Sequence, residues 1–75
     1  MNQKRRKRIA TVSSKLQELL DELNLILEEE QEAYDNMPEQ LQDTERGEAM
    51  YEAIETLEDA ISEIEGQMDE LDNLC

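Results

Sequence analysis

Apolar residues in the first half of the chain recur at alternating spacings of three and four. This spacing is typical of one face of a long helix that packs lengthwise against another helix. Leu20, Leu27 and Tyr34 each follow a position of this face by one residue and are predicted to widen it, as in the helices of a bundle. Leu25 alone is predicted to point away from it. The predicted face consists of Ile9, Val12, Leu16, Leu19, Leu23 and Ile26.

The second half of the chain repeats the pattern more regularly and predicts a second helix with one continuous apolar face. Ala53 and Ala60 flank that face, and such small side chains allow another helix to approach closely. Tyr51 flanks its other side, where it would meet Tyr34 if the chain folds back on itself. The face consists of Met50, Ile54, Leu57, Ile61, Ile64, Met68, Leu71 and Cys75.

The two periodic halves are separated by the only stretch that contains proline. Pro38 disfavours helix at the residue before it and suits a first helical position, so a short turn of helix to about Gln42 is expected. Thr44 or Asp43 is expected to cap the second helix. Gly47 falls on the apolar face, which indicates either close packing against the connection or simple tolerance near a helix end.

These elements predict an all-α chain folded as a coiled-coil-like antiparallel helical hairpin. The predicted bounds are a helix over 9–35, a turn over 36–43 and a helix over 44–74, preceded by a basic arm over 1–8 that could extend the first helix. Because a lone hairpin leaves apolar surface in water, we expect a homodimeric four-helix bundle, or else a hairpin completed by a different protein. The predicted oligomer seam consists of Leu16, Leu23, Ile54, Leu57, Ile61 and Ile64.

The charge of the chain is divided between its ends. Six of the seven basic residues lie within residues 1–15, which contain no acid, whereas residues 16–75 hold 21 acids against Arg46 alone. An acidic body of this kind is repelled by nucleic acid and by anionic lipid, so a basic protein surface is the expected partner. No membrane, small-molecule substrate or nucleic-acid partner is predicted for this body.

The basic arm admits three interpretations, namely compensation of acidic charge within the hairpin or its dimer, nucleic-acid binding, and a disordered tail. It consists of Lys4, Arg5, Arg6, Lys7 and Arg8. Such a run could neutralise phosphates. No aromatic residue lies within the arm to stack on bases, which disfavours the nucleic-acid interpretation.

The candidate partner-binding surface is an acidic face on the second helix, formed by Glu48, Glu52, Glu55, Asp59 and Glu63. The charge density of this helix approaches that of one strand of duplex DNA, so mimicry of a nucleic acid is one interpretation. The other is that acidic surface only keeps a small bundle soluble.

The sequence predicts no enzyme, no cofactor and no metal site. The chain has no histidine, and its glutamates form neither a calcium loop nor a di-iron motif. The single cysteine, Cys75, cannot form a disulfide within the chain, and no apolar stretch approaches the roughly 20 residues needed to span a bilayer. Both features favour a cytoplasmic location.

The central segment Glu28-Glu29-Glu30-Gln31-Glu32-Ala33-Tyr34-Asp35-Asn36-Met37-Pro38-Glu39, followed by Glu45-Arg46-Gly47-Glu48, resembles a group of short proteins of tailed phages and integrated mobile elements. The resemblance extends over nearly the whole chain, although only the turn is distinctive. It implies a phage or mobile-element origin, the cytosol of a bacterial host, and inhibition of a host defence or nucleic-acid-handling protein. The alternatives are a small dimeric regulator that binds nucleic acid through the arm, and a structural coiled-coil adaptor.

Overall fold

The computed structural model describes the whole chain, residues 1–75, as three helices and no strand. α1 spans Gln3–Asp35, α2 spans Glu39–Gln42, and α3 spans Glu45–Asp72. The two long helices lie antiparallel and form a rod of 58 × 15 × 12 Å. Its radius of gyration of 17.1 Å exceeds the roughly 11 Å expected of a compact domain of this length. The all-α prediction is therefore confirmed, and the shape is elongated.

Capping side chains determine where the long helices begin. Asn2 accepts a hydrogen bond from the backbone N–H of Arg5 at 2.9 Å, so α1 starts at Gln3 and the basic arm forms its first two turns. Thr44 is the cap of α3, where its hydroxyl oxygen accepts from the N–H of Gly47 at 3.5 Å. Glu45 and Glu48 then lie in the first turn of α3, where the helix dipole favours negative charge.

One glutamine side chain links the connection to the end of α1. The side-chain amide of Gln42 donates to the backbone carbonyls of Tyr34 and Met37, each at 3.1 Å. The Tyr34 carbonyl belongs to the last turn of α1, where carbonyls have no partner within the helix, and the Met37 carbonyl lies in the connection itself. Beside these bonds, the ring centroids of Tyr34 and Tyr51 lie 6.1 Å apart. The predicted contact between the two tyrosines is therefore confirmed.

The interior of the hairpin is one line of side chains between α1 and α3. On α3 it consists of residues seven apart, namely Gly47, Ile54, Ile61 and Met68. On α1 only Ser13 and Leu20 are buried, and Leu16, Leu23 and Leu27 pack partly against the core. Only 6 of 75 residues are buried in all, because two helices in contact bury only the residues that lie directly between them.

The predicted register of α1 was wrong at every second position. Val12, Leu19 and Ile26 are predicted on the face of the first helix that packs against another helix, but in the hairpin they are 51, 63 and 42% exposed. The positions that follow them, occupied by Ser13, Leu20 and Leu27, face α3 instead. The physical reason is that α1 is apolar over a width that one partner helix cannot cover.

The two glycines allow a matched test of the close packing at the connection. A Cβ atom at Gly47 would overlap the backbone carbonyl of Gln42, whereas a Cβ atom at Gly66 would meet nothing within 4 Å. We expect Gly66→Ala to raise the free energy of unfolding by about 0.5–1 kcal/mol through helix propensity. Gly47→Ala should lower it instead, because the backbone at Gln42 must move.

Urea unfolding followed by circular dichroism measures both changes under the same conditions. Equal stabilisation by the two substitutions would show that Gly47 is merely tolerated near the start of α3.

Candidate interaction surfaces

One side of the hairpin carries a continuous apolar surface, here called the apolar face. Its exposed line on α1 is Val12, Leu19 and Ile26, which are seven residues apart and therefore lie above one another. Half-buried side chains lie between this line and the core. They are Ile9, Leu16 and Leu23 of α1, with Met50, Leu57, Ile64 and Leu71 of α3. Both helices thus contribute apolar positions at the heptad spacing to the same side.

The end of the apolar face near the N-terminus is an open groove with two arginines at its edge. It is lined by Met1, Arg5, Arg8, Ile9, Val12 and Leu71. The opposite side of the hairpin is polar further along α1, where Gln17, Asn24, Glu65 and Asp69 surround the edges of Leu20 and Met68. The hairpin is therefore amphipathic as a whole, with one apolar side and one polar side.

A partly buried hydrogen bond joins α1 and α3 at the open end of the hairpin. Ser13 is 8% exposed, and its hydroxyl donates to Oδ1 of Asp72 at 2.6 Å. Beyond it, the thiol of Cys75 is exposed and lies 3.7 Å from the carbonyl oxygen of Arg6. These contacts hold the last residues of the chain beside the basic arm.

The basic arm is helical and its side chains point into solvent. All five of its basic residues are exposed, and none forms an ion pair with α3 or with the chain terminus. The compensation of charge predicted within the hairpin or its dimer therefore involves no direct ion pair between the arm and α3 of one hairpin, and between two hairpins it stays a prediction. Arg5 and Arg8 lie on the side of the apolar face, whereas Lys4 and Lys7 do not line its groove.

The acidic face predicted on the second helix lies on the outer side of α3. Glu48, Glu52, Glu55, Asp59 and Glu63 are all exposed. With about 100° of rotation per residue, they project away from the buried line that contains Ile54 and Ile61. A partner could contact this face without disturbing either the interior of the hairpin or the apolar face.

The structure divides the predicted oligomer seam into two groups. Ile54 and Ile61, at 4 and 6% exposure, are buried inside one hairpin and are not available to a second copy. Leu16, Leu23, Leu57 and Ile64 are half-buried and border the apolar face. The predicted seam does not include Val12, Leu19 and Ile26, which are exposed on this surface.

The exposed side chains that could bind a metal ion are carboxylates and the thiol of Cys75. No group of three or more Cys, Asp or Glu side chains is arranged to hold a metal ion. None of the helices combines the length and the apolar character that crossing a bilayer requires. The surfaces that distinguish this molecule are therefore the apolar face, the acidic face and the basic arm.

Comparison with known proteins does not assign a function to these surfaces. No protein-family model, curated protein or solved structure matches the chain at a significant level. The phage or mobile-element origin implied by the resemblance stays a prediction.

Adjacent serines allow the bond at the open end to be tested. Ser13→Ala and Ser14→Ala gain the same helix propensity, but only Ser13 donates to Asp72. We expect Ser13→Ala to be less stable than Ser14→Ala by about 0.5–1.5 kcal/mol, the usual net contribution of one hydrogen bond. Thermal unfolding of both variants measures the difference, and equal melting temperatures would mean that the bond does not contribute to stability.

Proposed function

We propose that this chain is a non-enzymatic interaction protein that pairs through its apolar face into a four-helix bundle and presents its acidic faces to a basic protein surface. The observation that carries the proposal is the line of Val12, Leu19 and Ile26, exposed on one side of a hairpin that is polar on the other. The expected partner is a nucleic-acid-handling or defence protein of a bacterial host, by the resemblance described above.

Self-association follows from the amount of apolar surface that one hairpin leaves in water. Leu19 is 63% exposed although it lies in the middle of a 33-residue helix, where no chain end accounts for its exposure. Burial of a leucine, isoleucine or valine contributes about 1.5–3 kcal/mol, and a symmetric dimer gains each contribution twice. A second hairpin supplies the apolar surface of matching length that this face needs.

The acidic face supports binding to a basic groove because of its density of charge. α3 carries 11 acidic side chains over its 28 residues, or one per about 4 Å of helix. One strand of duplex DNA carries a phosphate every 3.4 Å or so. Because the acidic face lies away from the apolar face, pairing of two hairpins leaves it exposed on both sides of the bundle.

Two exposed leucines of α1 allow the apolar face to be tested against an exposed apolar residue elsewhere on the helix. Leu19 lies on the face, whereas Leu25 is 49% exposed and projects elsewhere. We expect Leu19→Gln to raise the dissociation constant of the dimer by about ten- to a hundredfold, because the leucine is lost from both subunits. Leu25→Gln should leave the constant unchanged. Sedimentation equilibrium at micromolar concentration measures both.

Circular dichroism is the control that each variant keeps its helices. A parent protein that sediments as a folded monomer of 8.8 kDa at these concentrations would contradict the pairing of hairpins.

Charge reversal tests the acidic face independently of pairing. Replacement of Glu52, Glu55, Asp59 and Glu63 with lysine leaves the buried line of α3 untouched, so the hairpin should fold while capture of a basic protein from bacterial lysate is lost. The matched control reverses four exposed acids that lie outside both the acidic face and the acidic end of α1, namely Glu18, Asp21, Glu22 and Glu39, and gives the same net charge.

The control variant should still capture the same protein. Association between the control variant and that protein should slow as the salt concentration rises, because screening acts over about 8 Å at physiological ionic strength. Retention of the same protein by the α3 variant would mean that the acidic face serves solubility alone.

A further inference from the structure

The charges on α1 are arranged against its own helix dipole. The helix begins with the basic arm and has no acid in its first turn, and its last turn contains no basic residue. It ends in acids that include Glu32 and Asp35. Basic residues at the start of a helix and acidic residues at its end are each unfavourable, because the start carries partial positive charge and the end partial negative charge.

The same charges are symmetric about the centre of the exposed apolar line. Leu19 is the middle residue, with Val12 seven positions before it and Ile26 seven positions after it. The arm at 4–8 lies 11 to 15 positions before Leu19, and the acidic run at 28–32 lies 9 to 13 positions after it. The two oppositely charged segments are therefore nearly equidistant from Leu19 along the helix.

We propose that a second copy of this chain docks on the apolar face in antiparallel orientation, with α1 against α1 and the two-fold axis beside Leu19. This inference rests on the pairing of hairpins proposed above and specifies its geometry. Val12 of each subunit then meets Ile26 of the other, and Leu19 meets its own equivalent. The basic arm of each subunit lies across the acidic run of the other.

Electrostatics distinguishes this orientation from the parallel one. In the antiparallel dimer Arg8 lies near the partner's Glu30, and each end of α1 receives from the other copy the charge that its dipole favours. In a parallel dimer the two basic arms would lie side by side, as would the two acidic runs, and like charges would repel at both ends. Arg5 and Arg8 already line the apolar groove, so they are placed to reach a partner docked there.

Disulfide trapping tests the orientation in the full-length chain, with Cys75→Ser removing the one native thiol. Val12→Cys alone and Ile26→Cys alone should give no crosslinked dimer on oxidation, whereas an equimolar mixture of the two should give the crosslinked heterodimer. Leu19→Cys alone should crosslink with itself, because a disulfide needs Cα atoms within about 7 Å of each other. Dimers trapped by Val12→Cys alone would overturn the antiparallel arrangement.

A chain that sediments as a dimer but gives no heterodimer in the mixture would also overturn the proposed axis at Leu19. A monomer by sedimentation would instead refute the pairing itself, so the two failures are distinguishable.

Charge exchange tests the contact between the arm and the acidic run. Arg5→Glu with Arg8→Glu should weaken the dimer by at least about tenfold at low salt, and Glu29→Lys with Glu30→Lys should do the same. A mixture of these two variants should recover association, because each reversed segment then faces an opposite charge. The matched control, Lys4→Glu with Lys7→Glu, changes net charge equally on basic residues that do not line the groove.

Circular dichroism confirms that each of these variants stays helical. If the Arg5 and Arg8 substitutions leave the dimer intact and instead abolish binding to duplex DNA, the arm is a nucleic-acid contact and the proposal is wrong.

Discussion

Contact between α1 and α3 along a single line is the constraint on which the rest of this molecule depends. Two helices can bury only the side chains that lie directly between them, and here those are few, with Leu20, Ile61 and Met68 forming the core cluster. The chain nevertheless carries apolar residues over a wider sector of both helices. The apolar side chains that are not buried between α1 and α3 lie together on one side of the hairpin. For this reason a structure with a small interior has a well-defined apolar face.

The electrostatics of the chain complements this packing. α3 is arranged as an isolated helix would prefer, with Thr44 as its cap and acids in its first turn, whereas α1 has charges that its own dipole disfavours at both ends. A charge pattern that is unfavourable within one hairpin and symmetric along α1 is understandable if the favourable contacts are made between molecules. The acidic surface of α3 has no such internal explanation, and it faces away from the apolar face.

Most of the fold could be predicted from the sequence, since the period of the apolar residues, Pro38 and the capping residues locate the helices and the connection. The register of α1 could not, because Ile9, Leu16 and Leu23 fit two apolar lines equally. One continues through Val12 and Leu19, the other through Ser13 and Leu20. Apolar content favours the first, but Ser13 bonds to Asp72 and Tyr34 meets Tyr51, which selects the second. Which apolar line of α1 faces α3 depends on the side chains of α3, so it cannot be predicted from the pattern along α1 alone.

The geometry of the hairpin also predicts the order in which its two ends fold. Tyr34 and Tyr51, beside the connection, are close in the chain, whereas Ser13 and Asp72 at the open end are separated by 59 residues. Contacts that close short loops lose less chain entropy, so the helices should zip together from the connection and separate first at the open end. That end is the one that carries the basic arm. Fraying there would release the arm while the connection stays folded, so the end of the hairpin that we expect to open first carries its only concentration of positive charge.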